Sequence, residues 1–300
     1  MTDRRDFMKL AALGGGAIFF SGLTGCAQTP SNKSSSMAGY DEFFFVQLSD
    51  SHWGYKGADN PDAANTLKKA VATVNGLETQ PDFIMFTGDL THTTDDPIER
   101  RRRLAEFRDI VSALKVKNVY FMPGEHDASL DHGAAFKEFF GQSNYSFDHK
   151  GVHFVVVDNV SEPGATIGVA QLEWMQTDLG RLAKDAPIVV FTHRPLFDLA
   201  PKWDWATRDG AQAIALLMPY RKVTVFYGHI HQENHHMTGH IAHHSAKSLI
   251  FPLPTPGSQD KRAPLPWDPQ SPNKGLGFRE VEAEVSEAEY KITEFPVTRT

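Results

Sequence analysis

The feature that most constrains this chain is a recurring pair, in which a short apolar run is followed at once by acidic or histidine residues. Five such runs are rich in Val, Ile, Phe and Tyr and are bounded by Gly or Pro: residues 43–48, 83–86, 119–122, 188–191 and 223–227. Runs of this length and composition predict buried β-strands. Apolar residues at helical spacing lie between them, so the pattern predicts alternating strands and helices.

The side chains that follow these runs are types that bind metal ions. Three are carboxylates and four are imidazoles: Asp50, Asp89, Glu125, His52, His193, His229 and His231. Ligands of open α/β sheets gather just beyond the carboxyl ends of the strands, so these groups are expected to share one rim. Carboxylates suit hard cations and imidazoles suit borderline ones, and the set therefore favours a pair of divalent or trivalent ions such as Fe, Mn or Zn. Asp89, in the middle of the order, is the natural bridge between the two.

The carboxyl-terminal part of the chain departs from the strand–helix alternation after His231. Residues 241–251 and 278–295 predict strands of a second, antiparallel layer, with a Pro-rich loop at 252–272 between them. The fold class expected from the whole pattern is α/β, a layered α/β/β/α sandwich of two mixed sheets flanked by helices. Residues 40–300 are expected to form one catalytic domain.

The amino-terminal residues predict export rather than a part of the fold. Arg4 and Arg5, followed by Phe7 and Lys9, resemble a bacterial twin-arginine signal. The apolar stretch 10–23 is shorter than the ~20 residues of a membrane span and suits a signal peptide. It leads into Leu-Thr-Gly-Cys26, which resembles a lipobox, in which cleavage precedes a cysteine that becomes lipidated. We expect residues 1–26 to be the signal peptide with lipobox Cys26, and residues 27–39 to be a flexible tether.

These expectations imply two partners, the twin-arginine export machinery and a membrane reached through lipidated Cys26. The protein would then be anchored at the periplasmic or outer face of a bacterial membrane, the alternative being a soluble periplasmic form in which Cys26 is a spare thiol. Cys26 is the only cysteine, so no intramolecular disulfide can form. A net charge of −7 argues against broad binding of nucleic acid.

The motifs Asp-x-His, Gly-Asp, Gly-x-His-Asp, His and Gly-His-x-His, in this order between residues 43 and 231, resemble the calcineurin-like metallophosphoesterase superfamily. The resemblance implies hydrolysis of a small phosphate ester, a diester or a monoester, with a metal-bridging hydroxide as the nucleophile. It implies two ligand sets that share Asp89. The first is Asp50, His52, Asp89 and His231, and the second is Asp89, Glu125, His193 and His229.

The same resemblance implies roles for three neighbours of the ligands. His126 would assist the leaving group as a general acid. Asp127 would orient that imidazole and raise its pKa. Arg194, next to His193, is a candidate for binding the substrate phosphate, with a surface position as the alternative.

Glu125 departs from the family pattern, which has Asn at that position. A carboxylate adds one negative charge, so we expect tighter binding of hard ions at the second site; the alternative is that Glu125 turns away. This departure supports a second reading of the function, a non-catalytic metal-bearing accessory or binding protein of the cell envelope. His92 stands where purple acid phosphatases carry a metal-binding Tyr, which argues against that branch.

Overall fold

The computed structural model of this 300-residue chain describes residues 42–284 and 289–298. The expected signal peptide, lipobox Cys26 and tether lie outside the described residues and stay predictions. Within the described ranges, none of the helices is long and apolar enough to cross a membrane.

The first sheet has five strands, in the order β11-β10-β1-β2-β3. Their bounds are β1 Phe43–Leu48, β2 Phe83–Thr87, β3 Val119–Met122, β10 Gly277–Glu284 and β11 Glu289–Pro296. Strands β1, β2 and β3 are parallel, and β10 is antiparallel to both β1 and β11. The three parallel strands therefore end at the same edge of the sheet.

The second sheet has six strands, in the order β4-β5-β6-β7-β9-β8. Their bounds are β4 Tyr145–His149, β5 Val152–Val156, β6 Pro187–Phe191, β7 Lys222–Tyr227, β8 Asn234–Thr238 and β9 Ile241–Ser245. Strands β5, β6, β7 and β9 run parallel, and β4 and β8 are antiparallel edges.

Helices cover the outer face of each sheet. Their bounds are α1 Ala63–Asn75, α2 Pro97–Val111, α3 Glu125–Ala128, α4 Ala134–Phe140, α5 Val169–Leu179 and α6 Gly210–Leu217, with a short 3-10 helix at Pro201–Trp203. One core packs α1 and α2 against the first sheet, for example Leu67 and Phe107 against Phe86. Another packs α5 and α6 against the second sheet.

A third core lies between the sheets and holds them face to face. Phe45 and Phe83 of the first sheet contact Phe154 of the second in edge-to-face geometry, with ring centroids 6.2 and 5.2 Å apart. All three rings are almost completely buried. Aromatic pairs in this arrangement stabilise a core beyond their area alone. The predicted α/β/β/α sandwich of two mixed sheets is confirmed.

The carboxyl-terminal strands are placed differently from the prediction. They do not form a separate antiparallel layer: β10 adds to the first sheet beside β1, with Phe45 opposite Val281, and β9 adds to the second beside β7. That part of the prediction is wrong. The physical reason is that the central strands β1 and β7 would otherwise expose an unpaired edge of backbone N–H and C=O groups, and the late strands pair with those edges.

Candidate metal centre

Five of the predicted ligands lie just past strand ends in left-handed backbone. Their φ angles are 53° for Asp50, 41° for His52, 49° for Asp89, 65° for His229 and 55° for His231. Non-glycine residues rarely adopt this conformation, which costs about 1–2 kcal/mol each. Such strain persists only where the surrounding structure enforces it, and it clusters at functional sites.

Glycines allow the strand ends to approach one another closely. A Cβ atom on Gly88, whose φ is 93°, would lie 2.4 Å from His193 Nδ1. A Cβ on Gly228 would lie 2.0 Å from Ser49 Oγ and 2.7 Å from an Asp50 carboxylate oxygen. Any side chain at either position would push the two sheets' rims apart, so glycine is required at both.

The first donor set is formed by Asp50, His52 and His231, all buried. Asp50 Oδ1 lies 3.3 Å from His231 Nε2, and His52 Nε2 lies 3.3 Å from the same nitrogen. The opposite nitrogen of His231, Nδ1, lies 2.8 Å from the carbonyl of Phe251. A ring whose Nδ1–H is held by a carbonyl presents its Nε2 lone pair to the cluster.

The second donor set is formed by Asp89, Glu125, His193 and His229. Glu125 Oε2 lies 2.9 Å from His193 Nε2, and its Oε1 lies 2.8 Å from His229 Nδ1. His193 is oriented through its Nδ1, which lies 2.7 Å from the carbonyl of Thr87. The Glu125 carboxylate therefore faces the cluster and does not turn away.

Asp89 joins the two sets. Its Oδ2 lies 3.5 Å from His52 Nε2, in the first set, and 3.3 Å from His193 Nε2, in the second. Its other oxygen accepts a hydrogen bond of 2.9 Å from the backbone N–H of His126, which fixes the carboxylate. A single oxygen thus lies between the two groups of donors.

The residues present fit two metal ions. Among the described residues, the buried atoms Glu125 Oε2, His193 Nε2 and His229 Nε2 make no hydrogen bond, although the first two lie 2.9 Å apart. Buried polar atoms are almost always paired, so three unpaired ones in a single cluster point to a bound cation. Three carboxylates and four imidazoles are also the donor types that Fe, Mn and Zn accept.

The electrostatics agree with this arrangement. Burial opposes ionisation of Glu125, yet His229 and His193 hold the pKa of its carboxyl well below the usual range. Burial, together with the imidazoles of His126 and His231, lowers the pKa of His52 well below its usual value. His52 is therefore neutral, as a metal ligand must be.

The ring of His126 lies at the edge of the cluster, and the carboxylate of Asp127 makes its hydrogen bonds elsewhere. His126 Nε2 faces the cluster, 4.0 Å from Asp89 Oδ2, and its Nδ1 accepts a hydrogen bond of 3.2 Å from the backbone N–H of Thr93. The Asp127 carboxylate instead accepts hydrogen bonds from the N–H groups of Leu90, Thr91 and Gly124. The prediction that Asp127 orients the imidazole is corrected: Thr93 does so.

The physical reason for this correction lies in helix α3. Gly124 is its N-cap and Asp127 the third helical residue, so the carboxylate folds back onto the N–H of Gly124, where it also accepts from Leu90 and Thr91 in the segment after β2. Burial and the charge of Asp89 raise the pKa of Asp127 to about 6.

Arg194 lies inside the protein. It is only 4% exposed, so the alternative of a surface position is wrong. Its Nε donates to the carbonyl of Ala206 at 2.8 Å, and its Nη2 donates to the carbonyl of Asp204. Its Nη1 lies 3.8 Å from Glu125 Oε1. A contact with the substrate phosphate stays a prediction.

His92 and Thr93 also lie beside the metal centre, although the sequence motifs predicted a role there for neither. His92 Nδ1 lies 3.2 Å from Nδ1 of His52, and its ring stacks on that of His126 with centroids 5.0 Å apart. Burial and the neighbouring His126 lower its pKa to about 4. Their position in the sequence could have indicated this, because both residues come shortly after Asp89 at the end of β2.

The aromatic and histidine-rich segments are mostly structural. Trp205 is fully buried, with its ring 6.4 Å from that of His229, whereas the Nε1 of Trp53 donates to Glu106 on helix α2. Four of the histidines after His231 form two cross-strand pairs on β8 and β9, His235 opposite His244 and His236 opposite His243.

The layered fold and the rim of carboxylates and imidazoles define an α/β/β/α protein built to bind metal ions. A family model described as calcineurin-like phosphoesterase matches residues 45–233. The chain therefore belongs to the calcineurin-like phosphoesterase family and is a metal-dependent phosphoesterase.

Three similar proteins illustrate the relationship. The chain is 24% identical over 243 residues to a probable cyclic nucleotide phosphodiesterase of Rhodopseudomonas palustris, covering 72% of this chain and 84% of that one. It is 26% identical over 160 residues to a probable glycerophosphodiester phosphodiesterase of Arcobacter nitrofigilis, covering 50% of this chain and 56% of the length of that relative. A dimetal phosphatase of Danio rerio shares the fold, with a TM-score of 0.55, 13% identity and coverage of 86% and 99%.

Proposed function

We propose that this protein hydrolyses small phosphodiesters outside the cytoplasm, at a centre of two metal ions. The observation that carries the proposal is the position of Asp89 Oδ2, 3.5 Å from a nitrogen of the first donor set and 3.3 Å from a nitrogen of the second. One carboxylate oxygen between two buried groups of donors is the arrangement that a bridged pair of cations requires.

Each cation would be held by side chains named above. Asp50, His52, Asp89 and His231 would hold one, and Asp89, Glu125, His193 and His229 the other. Two cations held there would supply positive charge to the phosphoryl oxygens and would lower the pKa of a water molecule, so that hydroxide is available as the nucleophile near neutral pH. The buried atoms Glu125 Oε2 and His193 Nε2, which lie 2.9 Å apart without a hydrogen bond between them, support this assignment.

His126 would supply the proton to the leaving oxygen. Its Nδ1 accepts the N–H of Thr93, so in the neutral ring the proton is on Nε2. Nε2 is the nitrogen that faces the cluster, 4.0 Å from Asp89 Oδ2, and the side chain is 29% exposed. To act as the acid the ring must be doubly protonated, and its Nδ1–H can then donate to the Thr93 hydroxyl 2.6 Å away. The Nε2 proton passes to the departing alkoxide, which leaves a neutral alcohol and a neutral imidazole that is protonated again from water.

A diester is favoured over a monoester by charge. Within residues 42–284 and 289–298, Arg194 is the Lys or Arg side chain that pairs with a member of the donor sets, and its guanidinium is bound by Ala206, Asp204 and Glu125. A diester carries one negative charge, and a monoester near neutral pH carries up to two, which would need more positive charge at the site. The phosphodiesterase names of the two relatives above support the same choice.

The test is an assay of metal-reconstituted protein with bis(p-nitrophenyl) phosphate and p-nitrophenyl phosphate, using Mn²⁺, Zn²⁺ and Fe²⁺ separately. We expect a higher kcat/KM for the diester and no turnover in Asp89→Ala. A preference for the monoester would reassign the substrate class. Two bound ions without hydrolysis of any ester would favour the accessory role.

The location outside the cytoplasm rests on the amino-terminal motifs, Arg4-Arg5 and Cys26. We propose twin-arginine export followed by lipidation of Cys26. Fractionation of cells that express the full chain tests both steps. Arg4→Lys/Arg5→Lys should hold the protein in the cytoplasm, and Cys26→Ser should abolish incorporation of labelled palmitate; a soluble periplasmic wild type would favour the alternative.

A further inference from the structure

Arg194 and Glu125 form a charge pair inside the second donor set. Arg194 Nη1 lies 3.8 Å from Glu125 Oε1, the oxygen that also contacts His229 Nδ1 at 2.8 Å. In the described part of the chain, Arg194 is the only Lys or Arg ion-paired with a member of either donor set. Its fixed positive charge therefore acts on this carboxylate.

The guanidinium of Arg194 is also bound by two residues outside the donor sets, Ala206 and Asp204. Besides the carbonyls of Ala206 and Asp204, the Asp204 carboxylate contacts Nη2 at 3.2 Å, and Asp204 is itself in left-handed backbone with φ 56°. The side chain that aims at Glu125 is thus anchored by a loop that packs through Trp203 and Trp205. A buried charge this well anchored can tune a neighbouring site without a conformational change.

We propose that Arg194 is a positioning residue that shares the Glu125 carboxylate with the second cation and so limits how tightly that cation is held. Asp89 and Glu125 contribute two negative charges to the second set, and Arg194 contributes one positive charge beside it. The set therefore presents a net charge of one negative. This inference rests on the proposed two-metal centre and adds to it the residue that sets the affinity of its second position.

Charge balance predicts opposite effects for the two single substitutions. Arg194→Gln removes the competing cation, so the second metal ion should bind about tenfold more tightly. Glu125→Gln removes the attraction and leaves the guanidinium close by, so binding should weaken by about tenfold or more. The double variant carries the same net charge as the wild type, and its affinity should return to within about threefold of it.

Two further variants separate charge from structure. Arg194→Lys keeps the positive charge but loses the hydrogen bond from Nε to the Ala206 carbonyl. This variant should bind the second ion within about threefold of the wild type. Arg208→Gln is the matched control, since Arg208 is exposed and lies in the same connection before α6. Its loss of charge should leave both affinities unchanged.

The experiment is a titration of each metal-free protein with Zn²⁺ against a chromophoric chelator, which resolves two successive dissociation constants, with stoichiometry checked by elemental analysis. Melting of the metal-free variants shows whether each is folded. Weaker binding in Arg194→Gln, or a double variant no better than Glu125→Gln, would overturn the inference. A wild type that takes up a single ion would instead overturn the proposed two-metal centre.

Discussion

Nδ1 of His52 lies 3.2 Å from Nδ1 of His92, so the ring nitrogen that faces away from the carboxylate cluster is held by a second imidazole. The two nitrogens can share one proton. Burial and His126 lower the pKa of His92 to about 4, so near neutral pH it is uncharged and accepts the proton of His52. That hydrogen bond leaves His52 Nε2 free to face the first donor set.

The first prediction follows from this contact. His92→Ala should weaken binding of one metal ion by roughly 10–100-fold, because the ring of His52 loses the partner that sets its tautomer and orientation. Successive dissociation constants for Zn²⁺ measure the effect. His235→Ala, an exposed histidine on β8, is the control and should change neither constant. Equal affinities in His92→Ala and the wild type would show that the contact does not orient His52.

The second prediction concerns His126. His126→Ala should keep both metal ions and lose about 10²–10⁴-fold in kcat on a diester with an alkyl leaving group, because no acid then protonates the departing oxygen. The loss should be much smaller for bis(p-nitrophenyl) phosphate, whose leaving group is stable as an anion. Equal losses on the two substrates would mean that His126 acts on binding or on structure and not as a general acid.

Much of the metal centre could be predicted from the sequence because each ligand follows its own strand. Asp50, Asp89 and His193 come directly after apolar runs, and the parallel strands of the two packed sheets bring their ends to a common rim. The strand pattern is local, and so it can be read from a single sequence. The layered fold followed from the same alternation of strands and helices.

What the sequence did not predict depends on contacts between distant residues. The insertion of β10 beside β1 pairs Phe45 with Val281, and no local pattern indicates which open edge a late strand joins. Thr93, and not Asp127, is the residue that binds the ring of His126, and this depends on where α3 begins. A shift of the helix start by one residue would point the Asp127 carboxylate in a different direction. Arg194 follows His193, yet its anchoring by Asp204 depends on the path of a loop.

The third prediction tests the corrected role of Asp127. Its carboxylate accepts the N–H groups of Leu90, Thr91 and Gly124 and the Thr91 hydroxyl, at 2.8–3.0 Å. Asp127→Ala leaves these buried donors unpaired and should lower the free energy of unfolding by about 3 kcal/mol or more. Urea unfolding of the metal-free protein measures it. If Asp127 oriented His126 instead, stability would stay near that of the wild type while kcat fell.

The fourth prediction concerns pH and lies away from the metal centre. His243 is fully buried on β9, packed against Phe197 and His236, and neither of its ring nitrogens has a hydrogen-bond partner in the described structure. Burial, with His236 and His244 adding to it, lowers its pKa from 6.5 to about 4. As the pH falls below 6.5, this imidazole binds a proton in the unfolded chain, whereas in the folded protein it binds one only near pH 4. The free energy of unfolding therefore decreases as the pH is lowered from 6.5 to 4.

His243→Leu should remove the contribution of this imidazole to the pH dependence of stability. The free energy of unfolding should be unchanged or higher at pH 7, and the loss between pH 6.5 and 4 should shrink by about 3 kcal/mol. The remaining slope should include His244, whose pKa burial and His235 also lower to about 4. Urea unfolding in chelator at several pH values measures the slope, and His240→Gln, at an exposed position in the same hairpin, is the control. A slope in His243→Leu as steep as that of the wild type would mean that the buried imidazole is protonated as readily in the folded protein as in the unfolded chain.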